Sequence, residues 1–282
     1  MARMSWQEAC QLDDSLASLD SLFSLAPDYA RTLTGGLTNR CWKIVLRDGS
    51  AYVWRPTTHI TQAFSISRIQ EYQILTTIEP SRIGPKPIYI NGHGLLVEWI
   101  EGESLTKGLS FESLLKSLVR VHSFPTARIP IAPFNYTARV DHYWIRLESR
   151  YKSEAYQAIY HKWRQAPSLV PVDLTLCHFD LAGYNMVDTP LGHRIIDWEY
   201  ASIADPRLDL ALCIDIAEES PYEAVARYCQ LRNLIEVDDW IAGVQAWQPR
   251  ATMMALLWYL LAHQLWGDEQ YLSQAQQLLE GL

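Results

Sequence analysis

The first third of this chain reads as strands with one helix, and two tight-turn signals fix how the strands pair. Trp42 to Leu46 and Ala51 to Arg55 are short runs of β-forming residues split by Arg47-Asp48-Gly49, and Asp-Gly favours the left-handed backbone of a tight antiparallel turn. Pro87 to Ile90 and Leu95 to Trp99 repeat the pattern across Asn91-Gly92-His93-Gly94. Between the hairpins, Gln62 to Ile78 places Ile66, Ile69, Ile74, Leu75 and Ile78 at mostly helical intervals and stops before Pro80, so one helix is predicted there. After Glu101-Gly102-Glu103 the periodicity becomes helical. Leu114, Leu118 and Val121 share a face that ends at Pro125, Asp141 to Trp163 reads as one aromatic-rich helical stretch, and the chain from Asp205 onward is almost wholly helical. Thr175 to Cys177 and Arg194 to Ile196 are short apolar strands either side of a loop. The expectation is an α+β protein with a β-rich part over residues 1–99 and a mostly helical part over residues 100–282.

With 282 residues, 49 % of them hydrophobic, the chain can bury a large core. A formal charge of -8 and the absence of any Lys/Arg run argue against nucleic acid as a partner. Met1 to Asp20 carries Asp13, Asp14 and Asp20 and lacks the apolar stretch of a signal peptide. The longest apolar run, Met253 to Ala262, is broken by His263 and Gln264 and is too short for a bilayer, so it is predicted to be a buried helix and no membrane insertion is expected. Cys10, Cys41, Cys177, Cys213 and Cys229 are scattered without a C-x-x-C pair, which predicts reduced, buried thiols and a cytoplasmic setting.

The segment Cys177-His178-Phe179-Asp180-Leu181-Ala182-Gly183-Tyr184-Asn185-Met186, followed by Ile195-Ile196-Asp197-Trp198-Glu199-Tyr200, carries the chemistry. Phosphoryl transfer to an alcohol needs a carboxylate to accept the hydroxyl proton and oxygen ligands to hold Mg²⁺ on the phosphates. Asp180 follows one strand, Asn185 closes the loop and Asp197 follows the next strand, so three oxygen donors are expected to converge at one end of a β-hairpin. Asp and Asn also cap turns, and a purely structural reading stays open for His178, Asp180 and Asn185 taken alone. No Walker A motif is present, which excludes a P-loop fold.

Taken together, the Gly35-Gly36-Leu37-Thr38-Asn39 loop, the Leu96-Val97-Glu98-Trp99-Ile100-Glu101-Gly102 run, the Asp180 loop and Asp197-Trp198-Glu199-Tyr200 resemble, in order, the family of choline/ethanolamine kinases, bacterial thiamine kinase and, more distantly, aminoglycoside phosphotransferases. The resemblance covers most of the chain. It implies a bilobal protein-kinase-like fold using ATP and Mg²⁺, with Asp180 as catalytic base, His178 bracing the catalytic loop, and Asn185 and Asp197 as magnesium ligands. Gly35, Gly36, Thr38 and Asn39 would cover the phosphates, Arg55 would pair with the α/β-phosphates and with Glu71, and main-chain groups near Glu98 and Ile100 would meet adenine. Asp209 resembles a structural aspartate that fixes the catalytic loop.

A small cationic alcohol is the expected acceptor. Eleven Trp and fifteen Tyr are available for an aromatic cage, and Trp258 and Trp266, eight positions apart, can share a helix face. Glu199 stands two residues after Asp197, so on an extended segment both would point to one side, and its carboxylate would attract the cationic head group. Trp266-Gly267-Asp268-Glu269-Gln270-Tyr271 is similar to the thiamine-kinase end of the family, which favours thiamine over choline or ethanolamine. An aminoglycoside-type phosphotransferase and a non-catalytic pseudokinase binding module are the alternatives, and the sequence leaves the oligomeric state open.

Overall fold

The computed structural model describes residues 3–33 and 41–282. In chain order it begins with helix α1 (Trp6–Leu12), strands β1 (Tyr29–Thr32), β2 (Trp42–Val45) and β3 (Ala51–Pro56), helices α2 (His59–Ala63) and α3 (Arg68–Ile78), and strands β4 (Pro87–Asn91), β5 (Gly94–Glu98) and β6 (Glu103–Ser104). Helices α4 (Phe111–His122), α5 (Tyr136–Arg146) and α6 (Glu154–Trp163) follow. Four short strands come next: β7 (Thr175–Cys177), β8 (Met186–Asp188), β9 (Arg194–Ile195) and β10 (Ser202–Ala204). The chain ends on α7 (Pro206–Ala217), α8 (Pro221–Arg232), α9 (Val237–Trp266) and α10 (Glu269–Glu280). Two compact units result: the chain up to Ser104 with Met186–Glu199, and Leu105–Asn185 with Tyr200–Leu282. None of the described helices is long and apolar enough to cross a membrane.

The first unit is built on an antiparallel sheet in the order β1-β2-β3-β5-β4. Both expected hairpins form, and Gly49 adopts the left-handed φ of +87° that the first turn requires. One face of the sheet carries Trp42, Ile44, Trp54 and Leu96 and packs on Ala9, Leu16 and Leu19 of the N-terminal segment. Indole N–H groups stitch that contact, Trp42 to Asp13 at 2.8 Å and Trp54 to the Ser15 hydroxyl at 2.9 Å. Because strand residues alternate in direction, burying Trp54 on this face sends Arg55 to the other.

Three sequence expectations change. The helix predicted over Gln62 to Ile78 is two helices, because Ser65 turns left-handed (φ +58°) and Ser67 caps a new start by accepting from the Gln70 N–H. The stretch from Asp141 to Trp163 is likewise split into α5 and α6 by a 3₁₀ turn over Ser149–Tyr151. The strands around the Asp180 loop do not form one hairpin. β7 pairs with β10, whereas β9 pairs with β8, which pairs with β6.

In the second unit, the thirty-residue α9 carries the predicted buried run, with Met253, Leu256, Leu257, Leu260 and Leu261 out of solvent. Cys41, Cys177, Cys213 and Cys229 are buried free thiols, while Cys10 is half-buried.

Candidate active site

Arg55 leaves β3 on the face opposite the N-terminal core and enters a cluster of charges that includes Arg68 and Glu71 of α3 and the pair Asp197 and Glu199 beyond β9. Arg55 Nε lies 2.8 Å from Glu71 Oε1, and Arg55 Nη2 donates to Glu199 Oε2 at 3.0 Å and to Asp197 Oδ1. Arg68 Nη1 donates to Glu71 Oε2 at 2.6 Å and to Glu199 Oε2 at 3.1 Å. The predicted pairing of strand cation and helix carboxylate is therefore present. The segment holding Asp197 and Glu199 is not extended: Asp197 is left-handed (φ +64°) and residues Trp198–Tyr200 form a 3₁₀ turn, yet both carboxylates reach the same guanidinium nitrogen.

Burial decides the electrostatics. Glu71 and Glu199 side chains are 2 % and 4 % exposed, whereas Asp197 keeps 28 %, so Asp197 is the most exposed of the three carboxylates. Glu199, expected at a cationic head group, already shares its Oε2 between two guanidiniums. Desolvation, followed by the charge of Asp197, pushes its carboxyl above the usual range. Burial likewise pushes the neighbouring Cys41 thiol up to about 11.

The second unit holds the loop from His178 to Asn185, and its shape is set by one buried carboxylate. Asp209 of α7 accepts the backbone N–H of His178 at 2.7 Å and of Phe179 at 2.8 Å, and meets His122 Nε2 at 3.0 Å. His122 Nδ1 in turn lies 2.6 Å from the Tyr228 hydroxyl. Burial works against the Asp209 charge, but the His122 contact and the donated N–H groups outweigh it and hold the carboxyl below its usual range. These bonds keep Phe179 at a φ of +66°, costly for a bulky residue, while its ring rests 4.8 Å from that of Phe134. Gly183 is required as well, since a Cβ there would lie 2.4 Å from the Leu105 carbonyl.

Within this loop, Asn185 Nδ2 donates to the carbonyl and to Oδ2 of Asp180, both at 2.9 Å, and the Tyr184 hydroxyl donates to Asp180 Oδ1. Asn185 spends its donor on Asp180, which orients its carbonyl oxygen as the group suited to a cation. That oxygen, in the second unit, and the Asp197 carboxylate, in the first, are each hard donors of the type Mg²⁺ takes, and the Arg55 cluster carries three carboxylates against two guanidiniums.

Trp258 and Trp266 of α9 come together with ring centroids 6.1 Å apart, joined by Tyr259 and by Tyr271 of α10. Trp258 donates its indole N–H to the Tyr200 hydroxyl at 2.8 Å. Burial and then the charge of Asp180 push the Tyr259 hydroxyl up. Glu98 gives its N–H to the Lys86 carbonyl and its carboxylate to Arg194, and Ile100 is buried. Gly35, Gly36, Thr38 and Asn39 lie outside the described residues.

Sequence reasoning missed Arg68, Tyr184, His122 and Tyr228. Tyr184 left a local signal in its four-residue offset from Asp180 and Arg68 one in its three-residue offset from Glu71; His122 and Tyr228, and the Arg68 bond to Glu199, are tertiary contacts. Among the described residues, His122, Cys177 and Asp209 also approach one another closely enough to suggest a metal site. His122 and Asp209 are already bonded to each other, to Tyr228 and to the loop backbone, and burial keeps the Cys177 thiol protonated, so the group is structural.

A family model described as the phosphotransferase enzyme family matches residues 30–244. A thiamine kinase of Escherichia coli O157:H7 is 24 % identical over 246 residues, covering 86 % of each chain. Among solved structures, the choline kinase LicA from Streptococcus pneumoniae superposes with a TM-score of 0.74 at 20 % identity, covering 96 % of this chain and 98 % of its own, and LicA has also been solved with AMP. An ethanolamine kinase of Plasmodium vivax gives a TM-score of 0.72 at 16 % identity over 98 % of this chain and 88 % of its own. These structural likenesses establish a shared α+β fold.

Proposed function

The chain belongs to the phosphotransferase enzyme family, and from that premise we propose that it transfers the γ-phosphoryl group of ATP to the hydroxyl of a small cationic alcohol, with thiamine favoured over choline and ethanolamine. The observation that supports this reading is the Asp180 carboxylate, set by Tyr184 and Asn185 in a loop that Asp209 grips through its backbone, on the same unit as the Trp258, Trp266 and Tyr271 aromatic cluster. Aromatic faces hold a quaternary or thiazolium cation without requiring a hydrogen-bond donor from it, and a carboxylate at their edge can take the proton of an attached hydroxyl.

In this mechanism Asp180 accepts the acceptor's proton as its oxygen attacks the γ-phosphorus. Tyr184 and Asn185 each occupy one oxygen of Asp180 in the resting loop and fix the carboxylate's rotamer. Asp209 holds the loop backbone from beneath, through the N–H groups of His178 and Phe179. Arg55 pairs with the nucleotide phosphates while Glu71 keeps its guanidinium in place. Asn185 and Asp197 would hold Mg²⁺, which supplies neutralisation of the charge on the transferred group.

The acceptor is tested by incubating the protein with ATP and Mg²⁺ against thiamine, choline, ethanolamine and an aminoglycoside and reading ADP release. The expected result is consumption with thiamine exceeding that with the others. Equal release with every acceptor, or none with any, contradicts the assignment.

A further inference from the structure

Arg68 is the first residue of α3, with Ser67 as its cap, and its side chain is only 2 % exposed. That is an unfavourable place for a cation on two counts. Desolvation penalises the charge, and the N-terminal end of a helix dipole repels it. Something specific must offset both terms, and the contacts of Arg68 show what.

Its Nη1 takes Glu71 Oε2 at 2.6 Å and Glu199 Oε2 at 3.1 Å, and its Nε reaches the Pro56 carbonyl at 3.5 Å. Arg55 meets the same two carboxylates, Glu71 through Oε1 and Glu199 through Oε2. The four side chains close a ring in which positive and negative charges alternate: Arg55, Glu71, Arg68, Glu199. Asp197 attaches from outside, to Arg55. The ring is neutral, and Asp197 makes the five-membered cluster formally -1.

We propose that Arg68 is a positioning residue for nucleotide binding: by neutralising the two buried carboxylates it leaves the Arg55 guanidinium available to phosphate. Without Arg68, Glu71 and Glu199 would both depend on Arg55, and the cluster would fall to a formal -2 beside the place where a polyanion must bind. Arg55 would then offset three carboxylates with no second cation in the cluster, and the added negative charge would oppose phosphate. This inference rests on the kinase reading above.

The test is isothermal titration calorimetry with ADP, without added metal, on the folded fraction of each variant. Arg68→Met should weaken ADP binding by at least about tenfold, because a buried carboxylate loses its partner next to the phosphate site. Arg68→Lys keeps the cluster at -1 and should stay within about threefold of the parent protein, as should Arg68→Met/Glu199→Gln, in which one cation and one anion are removed together. A purely structural role would lower melting temperature in Arg68→Met yet leave ADP affinity unchanged, and that result overturns the proposal. If Arg68→Met does not fold, the lysine and double variants decide: failure of both to retain ADP binding overturns it equally. Absence of ADP binding in the unaltered protein would instead remove the kinase reading itself.

Discussion

The two units hold their functional side chains by opposite means. In the first, Arg55 is placed by other charges: an alternating ring of desolvated side chains in which every member depends on the rest. In the second, Asp180 is placed by backbone: a single buried carboxylate, Asp209, grips two main-chain N–H groups, and the loop presents Asp180 half-buried at its surface. A charge ring is sensitive to the sum of its charges and tolerant of shape. A backbone grip is sensitive to donor and acceptor geometry and indifferent to most side chains along the loop, which is why Phe179 can sit in a left-handed conformation without serving the chemistry.

The largest expected effect separates chemistry from binding. Asp180→Asn removes the proton acceptor while preserving shape, and should lower kcat by about 10³-fold or more with ADP affinity unchanged. Asp209→Ala tests the grip. It strands the His178 and Phe179 N–H groups and His122 in a buried site, and should cost about 3 kcal/mol of stability in chemical denaturation. The pH dependence has a fixed sign. A carboxylate held below its ordinary value of 3.8 contributes stability that is present above 3.8 and lost as pH falls through the lower folded value, so in the alanine variant stability should fall less steeply with acid in that range.

Much of this arrangement was legible beforehand, and the illegible part has a common cause. The hairpins were readable because Asp48-Gly49 and the Asn91 to Gly94 turn are local signals, and the buried part of α9 because ten consecutive positions, Met253 to Ala262, are almost all apolar. The pairing of Arg55 with Glu71 was implied by the family resemblance, which sets a strand cation ahead of a helix carboxylate. Arg68 was missed because a charged i,i+3 pair with Glu71 at the start of a helix reads as solvated surface until Glu199, from beyond β9, is in place. The expected single hairpin around Asp180 failed for a similar reason: Thr175–Cys177 and Arg194–Ile195 are near in sequence, but pairing is decided by tertiary contacts, and they pair instead with Ser202–Ala204 and Met186–Asp188.

Smaller effects sharpen the contrast. Tyr184→Phe removes one hydrogen bond to Asp180 from a side chain that is 47 % exposed, so turnover should fall only a few-fold, about 1 kcal/mol in barrier, with stability unchanged in thermal melts. Outside both sites, Glu218 caps the end of α7 in a left-handed conformation (φ +55°) on the surface. Glu218→Gly should raise stability by about 0.5 kcal/mol and leave turnover as it is, which distinguishes ordinary helix-end strain from the strain held at Phe179 and Asp197.

The proposed mechanism divides the labour, with Asp180 handling the proton and Asp197 the metal-bound nucleotide. Titration of ADP binding with Mg²⁺ in Asp180→Asn and Asp197→Asn measures that division directly. The predicted outcome is a Mg²⁺ dependence in Asp180→Asn that matches the unaltered protein and one that is lost in Asp197→Asn. An unaltered Mg²⁺ dependence in Asp197→Asn, or its loss in Asp180→Asn, would contradict the assignment.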